Sequence, residues 1–169
     1  HMNHLDDTLE ALDETLAAAL EQVLAAEAIS GADDATVLRA MAITAHMQRR
    51  LDGLLTELVG EVDVRDTAQP TANGIVMRSG YRNLNDLLQQ VTLRTPQTVS
   101  ALTRVARAVR RPVALCTGEV LPPELPALRA ALLEGAVGIE GVTAVLGPLR
   151  ELHCAVGTER MREAERVLA

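Results

Sequence analysis

A chain of 169 residues can bury a real core, as one domain or as two helical subdomains sharing an interface. Its hydrophobic content of 48% is almost wholly Ala, Leu and Val, with one Tyr and no Phe or Trp. That composition suits closely packed helices and argues against single-strand binders that stack bases on aromatic rings. The net charge of −7 argues against a generally basic surface, and no apolar run reaches transmembrane length.

The distribution of charge reopens the nucleic-acid question. Residues 1–66 carry −10 and residues 119–169 carry −3, whereas residues 67–118 hold seven arginines against one aspartate, or +6. Phosphate binding needs a local positive face and not a basic total. All 16 basic residues are Arg, in keeping with a high-GC genome, and Arg is also the better bidentate ligand for phosphate or guanine. No signal peptide is evident, so the chain reads as cytoplasmic. His1-Met2 looks like the scar of tag removal, and the sequence ends inside a helical pattern, as a fragment of a longer protein would.

Leu5, Leu9, Leu12, Leu16, Leu20 and Leu24 step by four and three, predicting a first helix from about Asn3 to Ala28. Ser30-Gly31-Ala32 breaks it, and Asp33 or Asp34 can cap a second helix. In that helix Val37, Met41, Thr44, Gln48, Leu51, Leu55, Leu58 and Val62 alternate the same steps. Two long amphipathic helices with a short connection predict an antiparallel helical hairpin over residues 3–64. Its acidic outer surface reads as a solvated face, or as a partner or homodimer surface built on the leucine seam.

Residues 65–80, with Asp66, Pro70, Asn73 and Gly74, read as a linker, and residues 81–169 as a compact helical region. Asn83 is a good N-cap for a helix over Leu84–Leu93. Thr95-Pro96 starts another that should run to about Arg110, since Pro112 disfavours helix at Arg111. Short helices follow over Ala127–Leu133 and from Ile139 or Glu140 to about Leu146, where Gly147-Pro148 should end or kink the second. Thr158 caps a last helix, and no segment has the alternation of a strand. The fold class is therefore all-α.

On a helical wheel of the segment from Pro96 to Arg110, Val99, Leu102, Val105, Ala106 and Val109 share one side. Gln97, Ser100, Arg104 and Arg107 lie opposite, with Arg110 on the flank. With the preceding helix across its apolar side, this gives helix, short turn, helix. The second helix has polar residues near its N-terminus for base edges and arginines further on for phosphates. Arg82, Arg94 and Arg111 in the adjoining loops extend the footprint, and duplex DNA is the expected partner. Catalytic chemistry finds no support, because His4, His46 and His153 are scattered and no metal-ligand spacing or phosphate loop occurs. No cofactor is expected. Cys116 and Cys154 lack a CxxC partner and read as small core residues.

The segment from Gly118-Glu119-Val120-Leu121-Pro122-Pro123 through Leu125-Pro126-Ala127 to Glu134-Gly135-Ala136-Val137-Gly138 resembles the 13E12-repeat family, also called domain of unknown function 222. Gly80-Tyr81-Arg82-Asn83-Leu84 and Arg104-Val105-Ala106-Arg107-Ala108-Val109 also look like that family, and the similarity spans roughly Leu38 to Ala169. After Gly138 this chain departs from the family pattern, reading Ile139-Glu140-Gly141-Val142-Thr143. Fuller members of these actinobacterial proteins place the helical region ahead of an HNH endonuclease domain. The resemblance thus implies a non-catalytic module that targets DNA for a nuclease outside this sequence. The alternative reading is a helical dimerisation or protein-interaction scaffold without DNA contact.

Overall fold

The computed structural model describes residues 4–25, 27–69, 73–114, 118–156 and 158–168, with the backbone alone over 152–156 and at 158. Eight helices occur among them: α1 His4–Ala25, α2 Asp34–Thr67, α3 Ile75–Arg78, α4 Leu84–Thr92, α5 Pro96–Val109, α6 Pro126–Glu134, α7 Ile139–Val156 and α8 Thr158–Leu168. The only extended pairing among the described residues is an isolated bridge between Val113 and Val120. The all-α expectation holds. The expected roles of Cys116, Cys154 and His153, and the capping by the Thr158 side chain, lie outside the described residues.

Two compact units divide the chain, His1–Thr44 and Ala45–Ala169. The first holds α1 and the start of α2, joined by a turn in which Ser30 and Gly31 donate to the Glu27 carbonyl at 3.1 and 3.2 Å. Asp33 caps α2 by accepting the Thr36 amide at 2.8 Å. The Thr36 hydroxyl first, and then that amide, hold Asp33 below its ordinary carboxylate value. No residue of α1 is buried.

The second unit begins inside α2, at Ala45. From Gly53 onward one face of α2 belongs to the core: Gly53, Thr56, Val59, Gly60 and Asp63 are all buried. The linker itself is largely structured, because Asp66 accepts the Val76 amide at 3.0 Å and Val76 is buried at the start of α3. At the centre stands α5, in contact with α4, α6 and α7, while α8 packs on α6 and α7. The five apolar wheel positions of α5, Val99, Leu102, Val105, Ala106 and Val109, are buried against Leu88, Leu128, Leu132, Val142 and Leu149. With aliphatic side chains each contributing roughly 1.5–3 kcal/mol on burial, this core needs no aromatic ring.

Of the two outcomes expected at Gly147-Pro148, an end or a kink, the end does not occur. Gly147-Pro148 does not end α7, which continues to Val156 with Pro148 inside it. Proline removes an amide hydrogen bond to the residue four back, here Ala144. Ala144, Gly147 and Pro148 all face solvent, where water can satisfy the carbonyl. Leu146 and Leu149, on the opposite side, are buried and hold the helix in place.

Helix α6 is capped at both ends by other helices. Its own N-cap, Leu125, supplies no side-chain bond. The buried Glu165 of α8 accepts the Leu128 amide instead, at 2.7 Å. At the other end Arg49 Nε donates to the Gly135 carbonyl at 2.6 Å and Arg50 Nε to that of Glu134 at 3.1 Å. An anion at the N-terminus and cations at the C-terminus both oppose the helix dipole favourably. Gly135 closes α6 with φ of 77°, and a Cβ there would lie 2.8 Å from the Arg50 side chain.

Gly53 lets α2 lie on the α6 backbone, since a Cβ there would sit 2.7 Å from the Leu132 carbonyl oxygen. In an exposed helix, Gly→Ala stabilises by roughly 0.5–1 kcal/mol. Here the added methyl forces two backbones apart, and Gly53→Ala is expected to destabilise by about 1–3 kcal/mol in urea unfolding. A stabilised variant would contradict this α2–α6 contact.

Candidate nucleic-acid interface

The α4–α5 pair is built by three local signals. Asn83 accepts the Asp86 amide at 2.9 Å and starts α4, and Thr95 accepts the Thr98 amide at 3.3 Å and starts α5 with Pro96 in its first turn. Between them Leu93 takes the left-handed conformation, φ 53°, and closes α4 through its amide to the Gln89 carbonyl. Three residues, Leu93 to Thr95, therefore reverse the chain. These are the helix-turn-helix proportions that the spacing of Asn83 and Thr95-Pro96 predicts.

The arginines that the wheel places on the outer face divide into two sets. Arg107 is clamped by Asp63 of α2: Nη2 donates to Oδ1 at 2.7 Å and Nε to Oδ2 at 3.1 Å. The hydrogen bond to Asp63 raises the Arg107 pKa above its ordinary value; partial burial opposes this and charge attraction adds to it. Arg110 Nη1 approaches the same carboxylate at 3.6 Å. Arg94, in the α4–α5 turn, donates to Asp52 of α2 at 2.6 Å, and Arg129 of α6 donates to Glu57 at 2.5 Å. Arg94, Arg107 and Arg110 thus join α2 to the α4–α5 pair, a part that the sequence reading did not give them. Arg82, Arg104 and Arg111 are exposed, with no ion pair among the described residues, and Gln97 and Ser100 also face solvent.

Of the expected contacts, Ser100, Arg104 and Arg107 come together. They line an open cleft of about 490 Å³ with Asn83, Leu84, Asn85, Thr103 and Arg150, and no carboxylate is among its described lining residues. Gln97, Arg82 and Arg94 lie outside the cleft. Arg110 and Arg111 border a separate groove of about 170 Å³ that also contains Glu57 and Glu61, so its charge is mixed. Sequence reasoning missed Arg150 because it follows Gly147-Pro148, where α7 was expected to end or kink. Asn83 was legible only as a helix cap, and Asn85 carried no signal of its own. Among the described residues no group of three or more His, Cys, Asp and Glu could hold a metal, and no helix is long and apolar enough to cross a membrane.

The chain matches no family model, no curated protein and no solved structure.

The two sets of arginine should differ in stability measurements. Asp63 is 7% exposed, and removing Arg107 leaves its carboxylate with only the longer Arg110 contact. Because Arg107 is itself 56% exposed, its pairing is partly screened. Arg107→Ala is expected to cost about 1–3 kcal/mol in urea unfolding. Arg104→Ala, one turn earlier on α5, should stay within about 0.5 kcal/mol of the parent. Equal losses would contradict the division.

Proposed function

We propose that this chain is the non-catalytic, duplex-DNA-directed helical module of a 13E12-type protein, with nuclease chemistry supplied by an HNH domain outside this sequence. One observation carries the reading: Arg104 and Arg107 of α5 and Arg150 of α7 line one cleft, with no carboxylate among its described lining residues. Guanidinium is the side chain best matched to the paired oxygens of a phosphate, and the Ser100 and Thr103 hydroxyls and the Asn83 and Asn85 amides add neutral hydrogen-bonding groups. Arg107 comes to the cleft already oriented by Asp63, so less side-chain freedom is lost when an anion binds. Gln97, exposed in the first turn of α5, is the proposed base-edge contact, and the exposed Arg82 and Arg111 are proposed outlying phosphate contacts.

In this reading Arg94 and Arg110 stabilise the fold and do not contact the nucleic acid. The compact unit is close to electrically neutral, with fifteen arginines against fourteen carboxylates in residues 45–169. Its affinity for DNA therefore rests on local geometry and is modest and steeply dependent on salt.

Fluorescence anisotropy on a short labelled duplex, over a series of salt concentrations, tests the proposal. Arg104→Ala with Arg150→Ala should weaken binding at least about tenfold and flatten the slope of log affinity against log salt by about 1–2. Stability should be unchanged in that double variant. Unaltered affinity and slope would reject the cleft as the contact surface.

A further inference from the structure

The cleft lined from α4, α5 and α7 holds positive charge without a matching set of carboxylates. Arg104 and Arg150 form no ion pair among the described residues. Arg107 meets Asp63 through Nε and Nη2, so its Nη1 takes no part in that pair. Asp86, next in sequence to the lining residue Asn85, accepts the Asn83 side-chain amide at 2.9 Å. Glu124 lines the neighbouring cavity together with Arg107 and Arg150 but forms an ion pair with neither. Like charges gathered in one concavity repel, and an anion that enters relieves the repulsion.

Outside the cleft the positive charge is interrupted. Arg94 and Arg110 pair with Asp52 and Asp63, and Arg111 borders the groove that also contains Glu57 and Glu61. Arg78 and Arg82 have no ion pair among the described residues, but neither lines the cleft. A duplex backbone is a continuous rail with one charge per roughly 1.7 Å, best met by cations spaced along a face. A concavity of about 490 Å³ instead has the size of sites that take one discrete ligand.

The lining narrows the chemistry of that ligand. A phosphate monoester carries a charge of about −1.5 to −2 near pH 7 and three terminal oxygens. A diester inside a strand carries a single charge, shared by two such oxygens. Arg104, Arg150 and an Arg107 shared with Asp63 suit the monoester better, in charge and in number of donors. The exposed Ser100 and Asn85 add neutral donors to the same lining.

We propose that this cleft is a site for a terminal phosphate monoester, borne by a strand end of duplex DNA or by a free nucleotide. On DNA the group arises by phosphodiester hydrolysis. The oxygen of water bonds to phosphorus, the bond from phosphorus to the departing strand breaks, and the departing oxygen takes a proton. One end is then a monoester and the other a hydroxyl. The inference rests on the reading of this cleft as a phosphate contact and narrows it from any backbone phosphate to a terminal one.

Fluorescence anisotropy on the full chain compares three duplexes of one sequence, each with an internal label. One has phosphates at its 5′ and 3′ ends, one has hydroxyls there, and one is closed at both ends by hairpin loops. The phosphorylated duplex should bind at least about tenfold more tightly than the other two. Arg104→Ala with Arg150→Ala should remove that preference while circular dichroism and urea unfolding match the parent. Thymidine 5′-monophosphate should compete for the cleft and thymidine should not.

Equal affinity for the three duplexes would overturn the inference while leaving the duplex-DNA reading in place. A preference that survives in the double variant would overturn it as well, because the group would then bind elsewhere. Binding of the monophosphate, lost in the double variant, with no duplex bound would support the monoester site, assign it to a free nucleotide and reject the duplex reading. Binding of neither would overturn both.

Discussion

The buried carboxylate of Asp63 organises the α2–α5 interface. It lies on the α2 face formed with Thr56, Val59 and Gly60, and it receives two hydrogen bonds from Arg107 and a longer approach from Arg110. A buried carboxylate is costly unless it is paired, so its position requires those arginines to turn towards α2. Asp52 and Glu57 repeat the device with Arg94 and Arg129. Nearer the start of the same helix segment, Arg49 and Arg50 donate to the carbonyls that end α6. The second half of α2 is therefore held mostly by charged groups at its edges and by close glycine contacts, with Val59 as its buried apolar anchor.

This arrangement changes the meaning of the charge pattern along the chain. Residues 67–118 are strongly basic in sequence, but three of their seven arginines are offset by carboxylates of the acidic segment before them. What is segregated in sequence is interleaved in space. Of the arginines left without an ion pair among the described residues, Arg104 shares its cleft with Arg150, with Arg107 half exposed beside them, while Arg78, Arg82 and Arg111 lie outside it.

The local features of the fold were legible in the sequence. Asn83 and Thr95-Pro96 mark two helix starts within a residue of their observed places, and the five apolar positions that the α5 wheel puts inside are all buried, with Thr103 a sixth that it did not assign. Both depend on short-range geometry, namely capping and the 3.6-residue period. What was hidden is tertiary. Nothing near Arg107 in sequence distinguishes it from Arg104; the difference is Asp63, 44 positions earlier. Pro148 reads as a stop by local rules, and only the burial of Leu146 and Leu149 carries α7 onward to place Arg150. Glu165 looks like any surface glutamate of an amphipathic helix, yet it is buried as the missing cap of α6.

The most direct test of this account is a double-mutant cycle on Asp63 and Arg107, with unfolding free energies measured for the parent, Asp63→Asn, Arg107→Ala and the double variant. If the pair ties α5 to α2, the two changes are non-additive by about 1–2 kcal/mol. The double variant should then be little worse than Arg107→Ala alone. Additivity to within about 0.3–0.5 kcal/mol would show that the two residues act independently, and would contradict the clamp on which the division of the arginines depends.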